Sequence, residues 1–258
     1  MSAPQVQVYP DAEQLARAAA AQLAGRIAGA VAASGSASLV LTGGGIGTEI
    51  LAELARGPAS GEIDWPRCDI WWGDERFVPA GDPERNDTAA RAALLDHVGV
   101  DPARVHAMPA SDGPDGDDPQ AAAERYAAQL RAAARPGDDP AVPSFDVLLL
   151  GIGPEGHVAS LFPERPAVHE AKRTVVPVWE SPKPPPTRLS LTFPAIQAAR
   201  EVWILASGAE KADAVALALT GNDPAWVPAC GARGRQQTLF FLDEAAAAEL
   251  PAELRPDS

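Results

Sequence analysis

The sequence predicts an α/β fold: one domain in three layers, with a mostly parallel sheet flanked by helices. Three observations carry that expectation. Short apolar runs alternate along the chain with helical segments, the order that builds a parallel sheet covered on both faces. The run Val147 to Leu150 has no polar alternation, as expected of a strand buried on both sides. Finally, apolar runs lead into glycine-rich turns, where open α/β sheets receive their ligands.

The elements follow in order. Val6 to Tyr9 reads as a short strand, and Asp11 stands where it can cap an alanine-rich helix from about Ala12 to Ala33. Ser38 to Thr42 is the next strand, followed by TGGGIG and a helix through about Leu54. A strand at Asp69 to Trp72, a helix from about Thr88 to His97 and a short strand near Val105 come next, with Asn86 or Asp87 as the expected helix cap. The stretches at 109–119 and 135–144 are polar Pro/Gly-rich loops around a helix near Ala121 to Arg135. After the strand at 147–150, strands are expected near Thr174 to Val178, Leu189 to Thr192, Val202 to Ala206 and Thr238 to Leu242, with a helix at 209–219.

Composition narrows the function. At 258 residues the chain is long enough for a substantial core. Its formal net charge of −14 argues against wholesale nucleic-acid binding, which needs a basic surface, but allows a local cationic cluster for a small anion. No segment approaches the roughly 20 apolar residues of a membrane span, and the opening MSAPQVQVYPDAEQ lacks a signal-peptide pattern. A cytoplasmic protein without membrane association is expected. Cys68 and Cys230 have no metal-ligand or redox spacing, so they read as reduced thiols, and no metal site is expected.

Three segments and two separate basic residues carry chemistry. In GIGPEGHVASLFP, His157 emerges from a strand-end turn containing Gly151, Gly153 and Gly156, and Glu155 is placed to hold one ring nitrogen. A structural histidine capping a turn fits the local pattern equally well. In TGGGIGTEI, Gly43, Gly44 and Gly45 can present backbone N–H groups and a helix N-terminus to an anion, although neither a dinucleotide fingerprint nor a P-loop is completed. In WWGDERFVP, Asp74, Glu75 and Arg76 form either a surface ion-pair cluster or an oxyanion site. Arg188 and Lys211, both near turns at element ends, are candidate phosphate partners.

Taken in order, TGGG, WWGDERFVP, ERND, GIGPEGHVASLFP, RLSLT and SGAEKADAV resemble the 6-phosphogluconolactonase family within the glucosamine-6-phosphate deaminase superfamily, over nearly the whole chain. The resemblance implies a Rossmann-like sugar-phosphate isomerase fold and hydrolysis of a phosphorylated sugar lactone without a cofactor. It implies that His157 is the general base, that Asp74 and Arg76 belong to the active site, that Arg188 and Lys211 grip phosphate, and that Gly43, Gly44 and Gly45 form the glycine turn. Glu155 is then the partner that orients His157. Two departures stand out: Thr42-Gly43-Gly44-Gly45-Ile46-Gly47 replaces a frequent Ser-Gly-Gly-Ser-Thr-Pro, and Glu155 stands where Asp is common. A glucosamine-6-phosphate deaminase is the nearest alternative, but it typically continues its histidine turn as GHIAFNEP and has Asp-Glu-Tyr where this chain has Asp-Glu-Arg. A non-catalytic sugar-phosphate-binding domain is the other. Oligomeric state is not legible in the sequence.

Overall fold

The computed structural model describes residues 3–139 and 141–255, so Pro140 of the expected loop at 135–144 lies outside the described residues. Six strands form the main sheet: β1 (Gln5–Tyr9), β2 (Ala37–Leu41), β3 (Cys68–Trp72), then β5 (Val147–Gly151), β8 (Glu201–Ala206) and β9 (Gln237–Asp243). Their spatial order is β1-β9-β8-β5-β2-β3, and every neighbouring pair is parallel. Burial explains the apolar runs, since β2 and β8 are buried at every position and β5 at all but its last.

Helix α1 (Ala12–Ser34) starts as expected, with the Asp11 carboxylate accepting the Gln14 backbone N–H at 2.8 Å. Helix α2 (Gly45–Arg56) follows β2 directly and packs on α1. Its buried residues Ile50, Leu51 and Leu54 lie on one helical face.

A second sheet departs from the sequence reading. β4 (Asp74–Arg76), β6 (Val175–Val178) and β7 (Arg188–Leu191) form a separate antiparallel unit in the order β4-β7-β6. β6 and β7 are buried at every position, as the central strands of the main sheet are, so burial does not set the two sheets apart. Two smaller corrections follow. The strand expected near Val105 is reduced to one bridge with Ile70. The helix expected at 88–97 begins earlier, as α3 (Asn86–Ala90), and continues as a π-helical turn at Arg91–Leu95.

The remaining helices are α4 (Pro119–Ala133), α5 (Phe193–Ile196), α6 (Ala212–Thr220) and α7 (Pro228–Gly231). Helix α4 packs against β6 and β7, giving the smaller sheet its own helical support. From adjacent strands β2 and β5 the sheet runs outward in opposite directions, to β3 on one side and β8 on the other. That reversal makes a crevice at the carboxyl ends of the strands.

Candidate active site

Four strand ends meet at this crevice. The β2 end leads through Thr42 and Gly43 to Gly44, which at φ 85° adopts a left-handed conformation. No side chain caps α2, whereas Asp11 caps α1 and Asp118 caps α4. The first N–H groups of α2 are thus left for an incoming anion.

The β5 end places the histidine. Gly153 donates its N–H to the His157 carbonyl at 2.9 Å, and Gly156 donates to the Gly153 carbonyl at 2.9 Å, closing a tight loop. Of the three glycines in this segment only Gly156, at φ 82°, needs left-handed backbone. Gly153 has a different reason: a Cβ there would overlap the imidazole of His157. The ring is pinned between this glycine and Phe162, whose ring centroid lies 4.5 Å away.

His157 Nδ1 is enclosed and lies 3.1 Å from Glu155 Oε1, off the line of a straight hydrogen bond. The other Glu155 oxygen lies 3.2 Å from Lys183 Nζ. Proximity to the imidazole, with Lys183 adding to it, holds the Glu155 carboxyl down to about 2. A carboxylate facing Nδ1 favours the proton on that nitrogen, leaving the lone pair on Nε2. Nε2 has no hydrogen-bond partner among the described residues.

β3 continues through Gly73 into β4, which carries the acidic-basic cluster. Glu75 is fully buried and caps α3 from outside the helix: its Oε1 accepts the N–H groups of Arg76 at 2.8 Å and Asn86 at 2.7 Å, and its Oε2 that of Asp87 at 2.9 Å. Neither Asn86 nor Asp87 is the cap expected from sequence; Arg85 holds that backbone position and the carboxylate comes from Glu75. Burial pushes the Glu75 carboxyl up, opposed by nearby Arg85 and these N–H donors. The cluster is therefore internal rather than a surface ion-pair group.

Asp74 and Arg76 are connected through Asn86 rather than directly. The Asn86 amide donates to the Asp74 backbone carbonyl at 2.8 Å, and its oxygen accepts from Arg76 Nη1. The Asp74 carboxylate also lies 3.4 Å from the Asn86 amide nitrogen, accepts a 2.6 Å hydrogen bond from fully buried Ser160 and lies 4.0 Å from Arg188 Nη1. Ser160 is thus committed to holding Asp74.

The β8 end and the loop before β7 supply the other cations. Lys211 occupies the N-cap position of α6, and burial pulls its ammonium pKa down, with Lys183 acting in the same direction. Arg188 spends Nε and Nη2 on the carbonyls of Pro185, Lys183 and Pro184, at 3.3, 3.0 and 3.1 Å. Burial likewise lowers its pKa. It anchors the proline-rich loop from below, and that loop presents Lys183 beside Glu155.

A cavity of about 280 Å³ collects these groups: Gly43, Gly44, Asp74, Arg76, His157, Arg188 and Lys211 all line it. Glu155 stands behind His157 rather than in the lining, and Gly45 faces two adjoining clefts. Sequence reasoning missed Lys183, hidden among prolines, and Asn86, read as a helix cap; both line the cavity. Lys183, Arg76, Arg188 and Lys211 make it cationic within a chain of net charge −14. The two cysteines are buried elsewhere and unpaired, with burial pushing the Cys68 thiol up to about 12.

Comparison with known proteins places the chain in a family. The family model described as glucosamine-6-phosphate isomerases/6-phosphogluconolactonase matches residues 10–241. The chain is 61% identical to a 6-phosphogluconolactonase of Streptomyces coelicolor, over 98% of this chain and 97% of that one. It is 55% identical to the Mycobacterium tuberculosis 6-phosphogluconolactonase, over 96% of this chain and 98% of the relative. A solved 6-phosphogluconolactonase from Trypanosoma brucei superposes with a TM-score of 0.81 at 29% identity, covering 96% of this chain and 99% of that one. The chain belongs to the glucosamine-6-phosphate isomerase/6-phosphogluconolactonase family.

Proposed function

We propose that this protein hydrolyses 6-phospho-D-glucono-1,5-lactone to 6-phosphogluconate in the oxidative pentose phosphate pathway, and that His157 is the base that activates water. One observation carries the reading: a histidine with an open Nε2 shares a single cavity with several cations, in a chain whose extensive relatives bear this activity. The absence of a helix long and apolar enough to cross a membrane among the described residues fits the cytoplasmic placement we infer for it.

Neutral His157 takes a proton at Nε2 from water attacking the lactone carbonyl carbon. The C–O bond to water forms as the carbonyl π electrons move onto oxygen. Arg76 stabilises that oxyanion. Collapse breaks the ring C–O bond, and imidazolium returns the proton to the departing ring oxygen. Glu155, fixed as a carboxylate, stabilises the imidazolium between these steps. Uncapped α2, Lys211 and Nη1 of Arg188 hold the phosphate, converting its binding into placement of the carbonyl. Asp74, held by Ser160, orients a sugar hydroxyl. The lactone is already reactive, so positioning, proton transfer and charge stabilisation supply what the reaction needs.

Substrate comparison tests this reading. We expect faster turnover of the phosphorylated lactone than of the unphosphorylated δ-lactone, with the difference shrinking in Lys211→Met. Equal kcat/KM on both lactones contradicts the phosphate assignment. Ammonia release from glucosamine 6-phosphate, without lactone opening, contradicts the reaction itself.

A further inference from the structure

We propose that Asn86 is a positioning residue that sets the working orientation of Arg76, and that residue 43 is glycine because the Asn86 carboxamide fills the space a side chain there would occupy. The inference rests on the reading of Arg76 as the oxyanion partner.

Asn86 is held on every side. It is only 3% exposed, and both ends of its amide are engaged: the oxygen with Arg76 Nη1, the nitrogen with the Asp74 backbone carbonyl at 2.8 Å and its carboxylate at 3.4 Å. Its backbone N–H is fixed by Glu75, whose carboxylate also takes the N–H of Arg76. Glu75 is itself buried against Arg85, 3.7 Å away. On the remaining side lies Gly43, and the atoms nearest a Cβ built there all belong to the Asn86 carboxamide. Gly43 is not among the positive-φ glycines, so clearance and not backbone conformation explains the residue.

The consequence falls on Arg76. A guanidinium presents Nε–H and one Nη–H along a single edge that grips two oxygens side by side. Arg125 uses that edge on Asp115 in this same chain, through Nε at 2.6 Å and Nη2 at 2.7 Å. In Arg76, Nε is enclosed and has no protein hydrogen-bond partner, while Nη1 is occupied by Asn86. Nε is shut off from the cavity, so Asn86, by taking Nη1, leaves Nη2 as the donor that faces a substrate oxyanion. A carboxamide suits the position because it accepts from the guanidinium and donates to Asp74 at once. A carboxylate would set a second negative charge against Asp74, and an aliphatic side chain would leave Arg76 unguided.

Two cycles test this. In the first, kcat and KM for the phosphorylated lactone are measured for wild type, Asn86→Ala, Arg76→Met and the double variant. We expect Asn86→Ala to lower kcat roughly 10- to 100-fold with a smaller change in KM, as loss of orientation does, and to change kcat less than about 2-fold once Arg76 is Met. Losses that multiply in the double variant overturn the claim that Asn86 acts through Arg76. In the second cycle, thermal unfolding is compared for Gly43→Ala in wild type and in Asn86→Ala. A fall in Tm confined to the wild-type background is expected; equal falls in both overturn the packing claim. If Asn86→Ala does not fold, Asn86→Ser enters both cycles. Failure of the wild-type protein to open the lactone would defeat the functional reading, while the unfolding cycle would still decide the packing.

Discussion

The two glycine turns at the crevice solve one problem in different ways. At the end of β5, Gly153 makes room for His157, four positions later in the same loop. At the end of β2, Gly43 makes room for Asn86, which belongs to the start of α3 and reaches the site through the fold. In both, the missing side chain is the space a polar group needs, and at neither glycine is positive φ the reason. The difference is the range over which the fit is encoded. A local fit can be read as a motif; a remote one emerges only when β4 and α3 have been brought beside β2.

Substitutions at the two turns should therefore differ in size. The largest effect is expected for His157→Ala, which removes the base: kcat falls roughly 10²- to 10⁴-fold in steady-state assays, with KM little changed. Gly153→Ala follows, since its Cβ and the imidazole cannot share one space. We expect kcat to fall at least about 10-fold, together with a lower Tm, because the ring must leave its place against Phe162. A Gly153→Ala enzyme of wild-type rate would show that the ring position is not critical. Gly43→Ala should produce the smaller loss, bounded by that of Asn86→Ala, because the displaced carboxamide acts at one remove from the reacting atoms.

Glu155 gives the smallest and most pH-specific effect. Its folded-state pKa is depressed to about 2, below the ordinary carboxylate range, so its stabilising contact is fully present above that range and is lost as pH falls toward 2. It remains charged at mildly acidic pH, so its own protonation does not limit the rate there. Glu155→Gln should lower kcat modestly, since a neutral amide no longer stabilises the imidazolium formed during the reaction. An unchanged kcat would mean that Glu155 does not support the base.

The range of encoding also explains what the sequence disclosed. The centre of the main sheet was legible because β2, β5 and β8 carry long apolar runs, and Asp11 announced α1 by a local cap. The second sheet was not, because β6 is an apolar run like those of the main sheet and only three-dimensional pairing sets it antiparallel to β7. His157, Glu155 and the glycine turns could be placed from local pattern, whereas Arg188 and Lys211 entered as candidates with weak local signals. Lys183 was concealed in a proline-rich loop whose position depends on Arg188 reaching back to its carbonyls. Asn86 sat where helix caps are common, and the carboxylate that displaced it from that role comes from residue 75 on another element. A single basic residue near those prolines could have raised suspicion of Lys183; nothing local marks Asn86.

The assignment of His157 as the water-activating base is tested most directly by following acid release at constant pH from freshly generated 6-phosphogluconolactone, with spontaneous hydrolysis subtracted and folded His157→Ala protein run beside wild type. The account predicts rapid release by wild type and near-background release by the variant, with phosphate-dependent binding retained. Undiminished release by the folded variant would contradict it.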